Sequence, residues 1–444
     1  MGLTIRKIIV SGLITSFMLC GLFTLGVSAE KIVLRYADTP YAKPIMEYQE
    51  NWIKAFEARY PNIDIRIDRI AFAEFQEKYL IQAAAHALPD LIYLQGPWMR
   101  RWIKAGYIVD LMPYVRENEA LANLDDYFSL ALKLYRYKDG LYGLPMDTGP
   151  AGPMYYNVDL FKEAGLESPK KSWTYEGEFL DAAKKLTKDT SGDGITNQWG
   201  MGSIYSYDTL NRGGVAWDFA GTFLMPFGGR FVNDDETECL ITEPGSIKAL
   251  KFWIGLIHNY HVAPPLEISQ GLEGKVFQLG RSGMGYGASW TIPVLSRFRE
   301  KMGLNYDVMH VPEGPAGRFV GIMGSCFAIT RDSKYPEETW RFLRFYMSDI
   351  GLAGWALAGA GSRARKSALN VWENMIDYPK HRSIFRETLE EYGVYGKPLG
   401  PSAGEVNKVA SEVLEMAFLG KMSIEEAARK IKQMVDPVLA EYAE

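Results

Sequence analysis

The sequence predicts an α/β protein of two lobes, and three observations carry that prediction. Between Lys31 and Ala105, strand-like segments alternate with helical ones, a pattern that pairs strands in parallel within a layered fold. A cluster of backbone punctuators, Pro145, Gly149, Pro150, Gly152 and Pro153, stands about a third of the way along the chain between two apolar runs, Leu141–Leu144 and Met154–Tyr156. Strand-like pieces on both sides of a Pro/Gly knot read as a crossing between lobes, although an ordinary loop inside one domain shows the same signal. Finally, 444 residues with 47 % hydrophobic content are enough to fill two cores.

Taken in order, the chain opens with Arg6 and Lys7 ahead of an uncharged apolar run, Ile8 to Val27, and a small-x-small site at Val27-Ser28-Ala29. That is the pattern of a secretory signal peptide over residues 1–29. Twenty apolar residues also suffice for an uncleaved anchor, but the interior glycines and the Val-Ser-Ala site favour cleavage before Glu30. Leu19 ahead of Cys20 does not suit a lipoprotein site. The expected location is the periplasm or the outer face of the cytoplasmic membrane. Losing residues 1–29 moves the formal net charge from −5 to −7. This mild acidity argues against nucleic acid or an anionic membrane as partner. Only Cys239 and Cys326 then remain; they make no disulfide framework and read as unpaired, with Cys326 in a buried strand.

Lys31–Tyr36 and Asn62–Ile70 alternate apolar and polar residues with period two, as half-buried strands do. Helical patterns cover Ile45–Tyr60 and Phe75–Ala87, and a third strand spans Pro89–Leu94. Ligands of open α/β sheets gather beyond the carboxyl ends of strands, which singles out Asp38 and Thr39 after the first strand and Gln95 to Trp98 after the third. Trp98 reads equally well as a core residue packing the next helix.

In the second half, a helix is expected from Trp173 to Lys188, one from Glu243 to His258, and a short piece near Gly274–Leu279. Tyr205, Tyr207, Trp217, Asp218 and Phe219 crowd one aromatic segment. Met284–Ala288 is a glycine-rich strand ending on Ser289-Trp290. Glycines there permit close approach of backbone or ligand, and an indole at the strand's end offers a flat face to a sugar ring; core packing is the rival reading. A strand at Gly321–Ile329 should cross back to the first lobe. Arg363, after a Gly-rich run, has the forked donors that bind hydroxyls or a carboxylate, or equally a surface ion-pair partner.

Five blocks in one order carry a resemblance: LPDLIYLQGPWMRRWIKAGYIVDLMPYV from Leu88, DGLYGLPMDTGPAGPMYYNVDLFKEAGLESPKKSWTYEGEF from Asp139, GRSGMGYGASWTIPVL from Gly280, the run Tyr306–Ser348, and GAGSRARKSAL from Gly359. Together they resemble the family 1 extracellular solute-binding proteins, the sugar-binding components of ABC importers, over essentially the whole mature chain. The resemblance implies a two-lobe periplasmic-binding-protein fold of type II, with a ligand cleft between lobes joined by three crossings. It places residues 30–147 and 323–360 in the N-terminal lobe and 148–322 and 361–444 in the C-terminal lobe, with the third crossing at Ser362-Arg363. The ligand-binding set is then Asp38, Thr39, Gln95, Trp98, Asp147, Trp217, Asp218, Trp290, Gly324, Arg363 and Tyr395. Partners are a carbohydrate and the membrane permease subunits; a monomer without cofactor, metal or catalysis is expected. Two departures leave the sugar open: Ala288-Ser289 where relatives carry Ser or Asn, and Gly361-Ser362-Arg363 where they carry Leu-Pro-x-Arg.

Other signals fade on inspection. Asp189 to Gly200 resembles a calcium loop, yet Gly200 stands where the closing Glu belongs, so a hydrogen-bonded Asx turn is the better reading. His258 and His261 lack a third ligand. Gly283, Gly285 and Gly287 lack dinucleotide-loop spacing, and Gly361–Ser367 lacks the glycine before Lys366 that a phosphate loop needs. A glycosidase requires two facing carboxylates, of which no local sign exists; another solute, such as glycerol phosphate, a polyamine or an oligopeptide, is the alternative within the binding class.

Overall fold

Alternation sets the first strands. β1 (Ile32–Asp38) and β2 (Ile63–Arg69) lie parallel, with Ile32 opposite Ile63 and Asp38 opposite Arg69. β1 also pairs in parallel with β3 (Leu91–Gln95). The intervening helix Lys43–Arg59 buries Ile45, Gln49, Ile53 and Phe56, a stripe at helical spacing that covers the sheet. The computed structural model describes residues 31–71, 74–150, 152–202, 215–361, 363–396 and 400–442; the expected signal peptide lies outside the described residues.

Eleven further strands complete the architecture among the described residues. They are β4 (Arg136–Tyr137), β5 (Gly140–Leu141), β6 (Leu144–Pro145), β7 (Gly149–Pro150), β8 (Met154–Asn157), β9 (Trp199–Met201), β10 (Ser282–Tyr286), β11 (Tyr306–Met309), β12 (Val320–Met323), β13 (Ser325–Ile329) and β14 (Gly393–Val394). Three sheets matter for function: β2-β1-β3-β13-β6, then β11-β8-β10-β9, and between them in sequence a ribbon ordered β14-β12-β7. The chain leaves the first sheet at β6, crosses through β7 and enters the second sheet at β8. It returns from β11 through β12 to β13, and β12 and β7 run antiparallel side by side. The Pro/Gly knot is thus a crossing. One hydrophobic cluster, around Tyr36, Trp102 and Phe327, covers the first sheet and reaches Tyr155, Tyr306 and Val308 of the second; the other, around Trp253, Phe252 and Leu414, packs on the second sheet alone.

The expected single strand Gly321–Ile329 is two. Gly324 breaks it because its backbone is squeezed: its carbonyl accepts from Gly96 N at 3.1 Å, and a Cβ there would lie 2.9 Å from Asp147 O. The short helix expected near Gly274 lies earlier, at Leu266–Gly271, since Glu273 and Gly274 take left-handed φ of 52° and 70° and end it. Past Gly361 the chain does not yet join the second sheet. Arg365 donates to Met347 O, Ala122 O and Asn123 O at 2.8, 3.0 and 3.1 Å, and Ser367 bonds Asp126. Hydrogen bonds at the β11 edge of the second sheet come from Tyr378, bonded to Asn305, and His381, bonded to Asp307.

Cys239 and Cys326 are both free and buried, the latter in β13. In the loop after Leu186, Asp189 Oδ1 accepts from Ser191 N, Ser191 Oγ and Gly192 N, and its Oδ2 from Gly194 N; the Asx-turn reading matches this geometry. Among the described residues no helix is long and apolar enough to cross a membrane.

Candidate functional site

Asp38 closes β1 with its carboxylate wholly buried. Oδ2 accepts from Tyr36 Oη at 2.5 Å and Gln49 Nε2 at 2.7 Å; Oδ1 accepts from Thr39 N at 2.7 Å and Tyr41 Oη at 2.9 Å. Burial pushes this carboxyl above its ordinary value, while the Tyr36 and Thr39 bonds, the Arg69 charge and Gln49 oppose the rise. Both oxygens are therefore taken by residues of the same lobe. One is Tyr41, which sequence reasoning passed over; its ring meets Trp355 edge-on at 5.3 Å.

At the crossings the structure brings together Asp147, Gly324, Gln95 and Arg363. Asp147 Oδ1 accepts from Ser325 N at 2.7 Å, and Ser325 stands opposite Gln95 in the β13–β3 pair. Tyr93, two residues before Gln95, bonds Ser325 Oγ at 2.6 Å. Arg363 is 3 % exposed. Its Nε donates to Gly361 O at 3.2 Å and its Nη2 to Ala360 O, so two donors go to carbonyls at the end of the helix Ala356–Ala360, a favourable place for a cation. Its Nη1 is buried without a hydrogen-bond partner, as is Gln95 Oε1. Burial lowers the arginine and raises Asp147, and each charge partly offsets the other's shift. Trp355 lies under the guanidinium at 5.9 Å.

Trp290 stands at the β7 edge of the ribbon. It follows β10 at the turn Ser289–Thr291 and remains 42 % exposed, unusual for so large an apolar side chain. Two glycines make room for it. A Cβ on Gly149 would sit 2.3 Å from the indole, and one on Gly361 would sit 2.9 Å from Trp290 N. Ser289, beside it, is buried.

The remaining candidates are scattered. Trp98 is half-buried and meets Phe75 edge-on at 4.7 Å, as its core reading expects. Tyr395 follows β14 at the opposite edge of the ribbon. Trp217 and Asp218 belong to the helix Val215–Leu224, but their side chains lie outside what the structure describes, as do Tyr205 and Tyr207. Tyr395 borders a cavity of about 750 Å3 that also touches Gly96, Lys133 and Asp235; neither Trp290 nor Arg363 lines it. Among the described residues no group of three His, Cys, Asp or Glu side chains is placed to hold a metal.

Two sheets joined by a three-stranded ribbon, with aromatic and charged side chains collected at that ribbon, define a two-lobed α/β binding protein. The family model described as bacterial extracellular solute-binding protein matches residues 42–352, and the chain belongs to that family. A Brucella abortus protein named as a binding protein is 27 % identical over 433 residues, 95 % of this chain and 97 % of that one. A Deinococcus radiodurans protein named as an ABC transporter-binding protein is 26 % identical over 203 residues, 44 % of each chain. Among solved structures, an ABC substrate-binding protein of Listeria monocytogenes in complex with cycloalternan superposes with a TM-score of 0.77 at 20 % identity, covering 93 % of this chain and all of that one. A solute-binding protein of Thermotoga lettingae bound with α-D-tagatose gives 0.76 at 22 %, covering 92 % and 100 %. These likenesses establish the fold. The family and these neighbours are binding proteins of ABC transporters.

Proposed function

We propose that the protein captures a sugar or short oligosaccharide outside the cytoplasmic membrane and delivers it to an ABC permease by closing its lobes on the ligand. The observation that carries this reading is Trp290, a large exposed indole lying against Gly149 of the crossing strand, with its backbone packed on Gly361. Such a surface suits the C–H face of a sugar ring. Support also comes from the cycloalternan and tagatose complexes of the structural neighbours and from the maltotriose complex of a Bdellovibrio bacteriovorus maltodextrin-binding domain. In this reading Asp147 and Arg363 orient hydroxyls, Gln95 and Gly324 shape the floor, and Trp98 and Tyr395 stand along the rim. The lobes divide near residues 147 and 323. The third passage falls after Met375, because residues 364–367 still bond the segment 122–128. Binding energy favours the closed over the open arrangement, and the ligand leaves unchanged. Isothermal titration against a carbohydrate panel, with the recovered ligand analysed by mass spectrometry, tests it. Binding of a sugar recovered intact supports the reading; a cleaved product, or tight binding of glycerol phosphate or a polyamine in place of any sugar, overturns it.

A further inference from the structure

The buried polar atoms at the crossings say more than that a ligand binds. Arg363 Nη1 is a donor without a partner, and Gln95 Oε1 is an acceptor without one. Both belong to one neighbourhood. Gln95 interacts with the Tyr93 hydroxyl, which Arg363 also senses electrostatically. Ser325, opposite Gln95, holds Asp147, the carboxylate that acts on Arg363. Among the described residues no contact within 4.0 Å joins Arg363 to Asp147, so the pair attract each other without pairing.

We infer that this part of the site selects an uncharged polyol, a sugar whose hydroxyls accept from Arg363 Nη1 and donate to Gln95 Oε1. The inference rests on the sugar-binding reading and narrows it to neutral sugars. A hydroxyl is donor and acceptor at once, so two neighbouring hydroxyls satisfy both atoms. The carboxylate of a uronate, or a fully ionised phosphate group, only accepts. It would answer Arg363, but it would lie against Asp147 and present lone pairs to Gln95 Oε1. An ammonium only donates. It would answer Gln95 and Asp147 at the cost of facing a buried guanidinium. Because Arg363 and Asp147 bring opposite charges to one buried spot, neither a net positive nor a net negative group gains there what it loses on leaving water. Polar sites left unpaired by the wrong ligand discriminate strongly.

The test is calorimetric. Neutral mono- to tetrasaccharides, their uronate counterparts and their 2-amino-2-deoxy counterparts are titrated into the purified protein, and the tightest neutral sugar is carried forward. The expected result is binding of a neutral sugar at least about a hundredfold tighter than its charged counterparts. Gln95→Leu and Arg363→Met should each weaken that neutral sugar about ten- to a hundredfold. Gln95→Leu removes the unpaired oxygen together with the amide group that meets the Tyr93 hydroxyl, which keeps its bond to Ser325 Oγ; its unfolding is measured beside its affinity, and it decides the matter alone if Arg363→Met does not fold. Equal or tighter binding of a uronate or amino sugar, or wild-type affinity in a folded Gln95→Leu protein, overturns the inference while leaving sugar capture standing. Absence of binding to any sugar, charged or neutral, overturns both.

Discussion

At the scale of the residue, the most consequential arginines are neighbours with opposite duties. Arg363 keeps a donor unspent in the site, whereas Arg365 spends its fork on Met347, Ala122, Asn123 and Asp126 and lies over Tyr127 at 4.2 Å. Nothing in Ser-Arg-Ala-Arg distinguishes the two, because the difference is made by partners some 240 positions away. Asp126 shows what the second arrangement is worth. Burial alone would raise its carboxyl, but two bonds from Ser367 and the Arg365 charge outweigh burial and hold it below its ordinary value. The folded form therefore binds its proton less readily than the unfolded chain. The resulting stability is complete above the ordinary carboxylate pKa of about 4 and fades as pH falls through the lower folded value. Asp126→Asn should flatten that acid limb and lower stability at neutral pH by roughly 1.5–3 kcal/mol, the worth of hydrogen bonds to a charged group. Urea midpoints measured from pH 2 to pH 7 check both; an unchanged acid slope in the variant would count against this account of Asp126.

Elements show where the sequence is legible and where it is not. β1, β2 and β3 announce themselves because seven-residue alternation or a continuous apolar run is a strong local signal. Trp290 at a strand end was legible as a projecting indole, but the glycines that approach it are Gly149 and Gly361, while Gly283, Gly285 and Gly287 pack against Leu186, Phe277 and Tyr155. β14 was not: two residues have no period, and Gly393-Val394 becomes a strand only because β12 lies beside it. The commitment of Asp38 to its own lobe escaped for the same reason, its partners Gln49 and Tyr41 being set by the helix and loop that follow. Two close approaches make sharp tests of the ribbon. A Cβ on Gly221 would fall 2.6 Å from Gly321 Cα, backbone against backbone, so Gly221→Ala should wedge the helix Val215–Leu224 off β12 and destabilise the fold by about 1–3 kcal/mol. Chemical denaturation measures that. Gly149→Ala meets instead the tip of an exposed indole, which can swing aside. It should weaken sugar binding with little change in unfolding temperature, and equal affinity in the variant would argue that Trp290 does not touch the ligand.

For the whole molecule, the ribbon β14-β12-β7 joins the two large sheets, the construction about which lobes rotate in hinge closure. Ligand should then compact the protein. Small-angle scattering with and without a tightly bound sugar should give a smaller radius of gyration in the complex, and superposable curves would remove the hinge from the mechanism. The central claim is that Trp290 is a binding surface and not a core residue, and one variant examined by two methods tests it most directly. Trp290→Ala, titrated calorimetrically with the bound sugar and unfolded thermally, should lose about 2–4 kcal/mol of binding, roughly thirty- to a thousandfold in affinity, with its unfolding temperature nearly unchanged. Unaltered affinity in a protein destabilised by about 3–5 kcal/mol, the cost of emptying a core site, would contradict it.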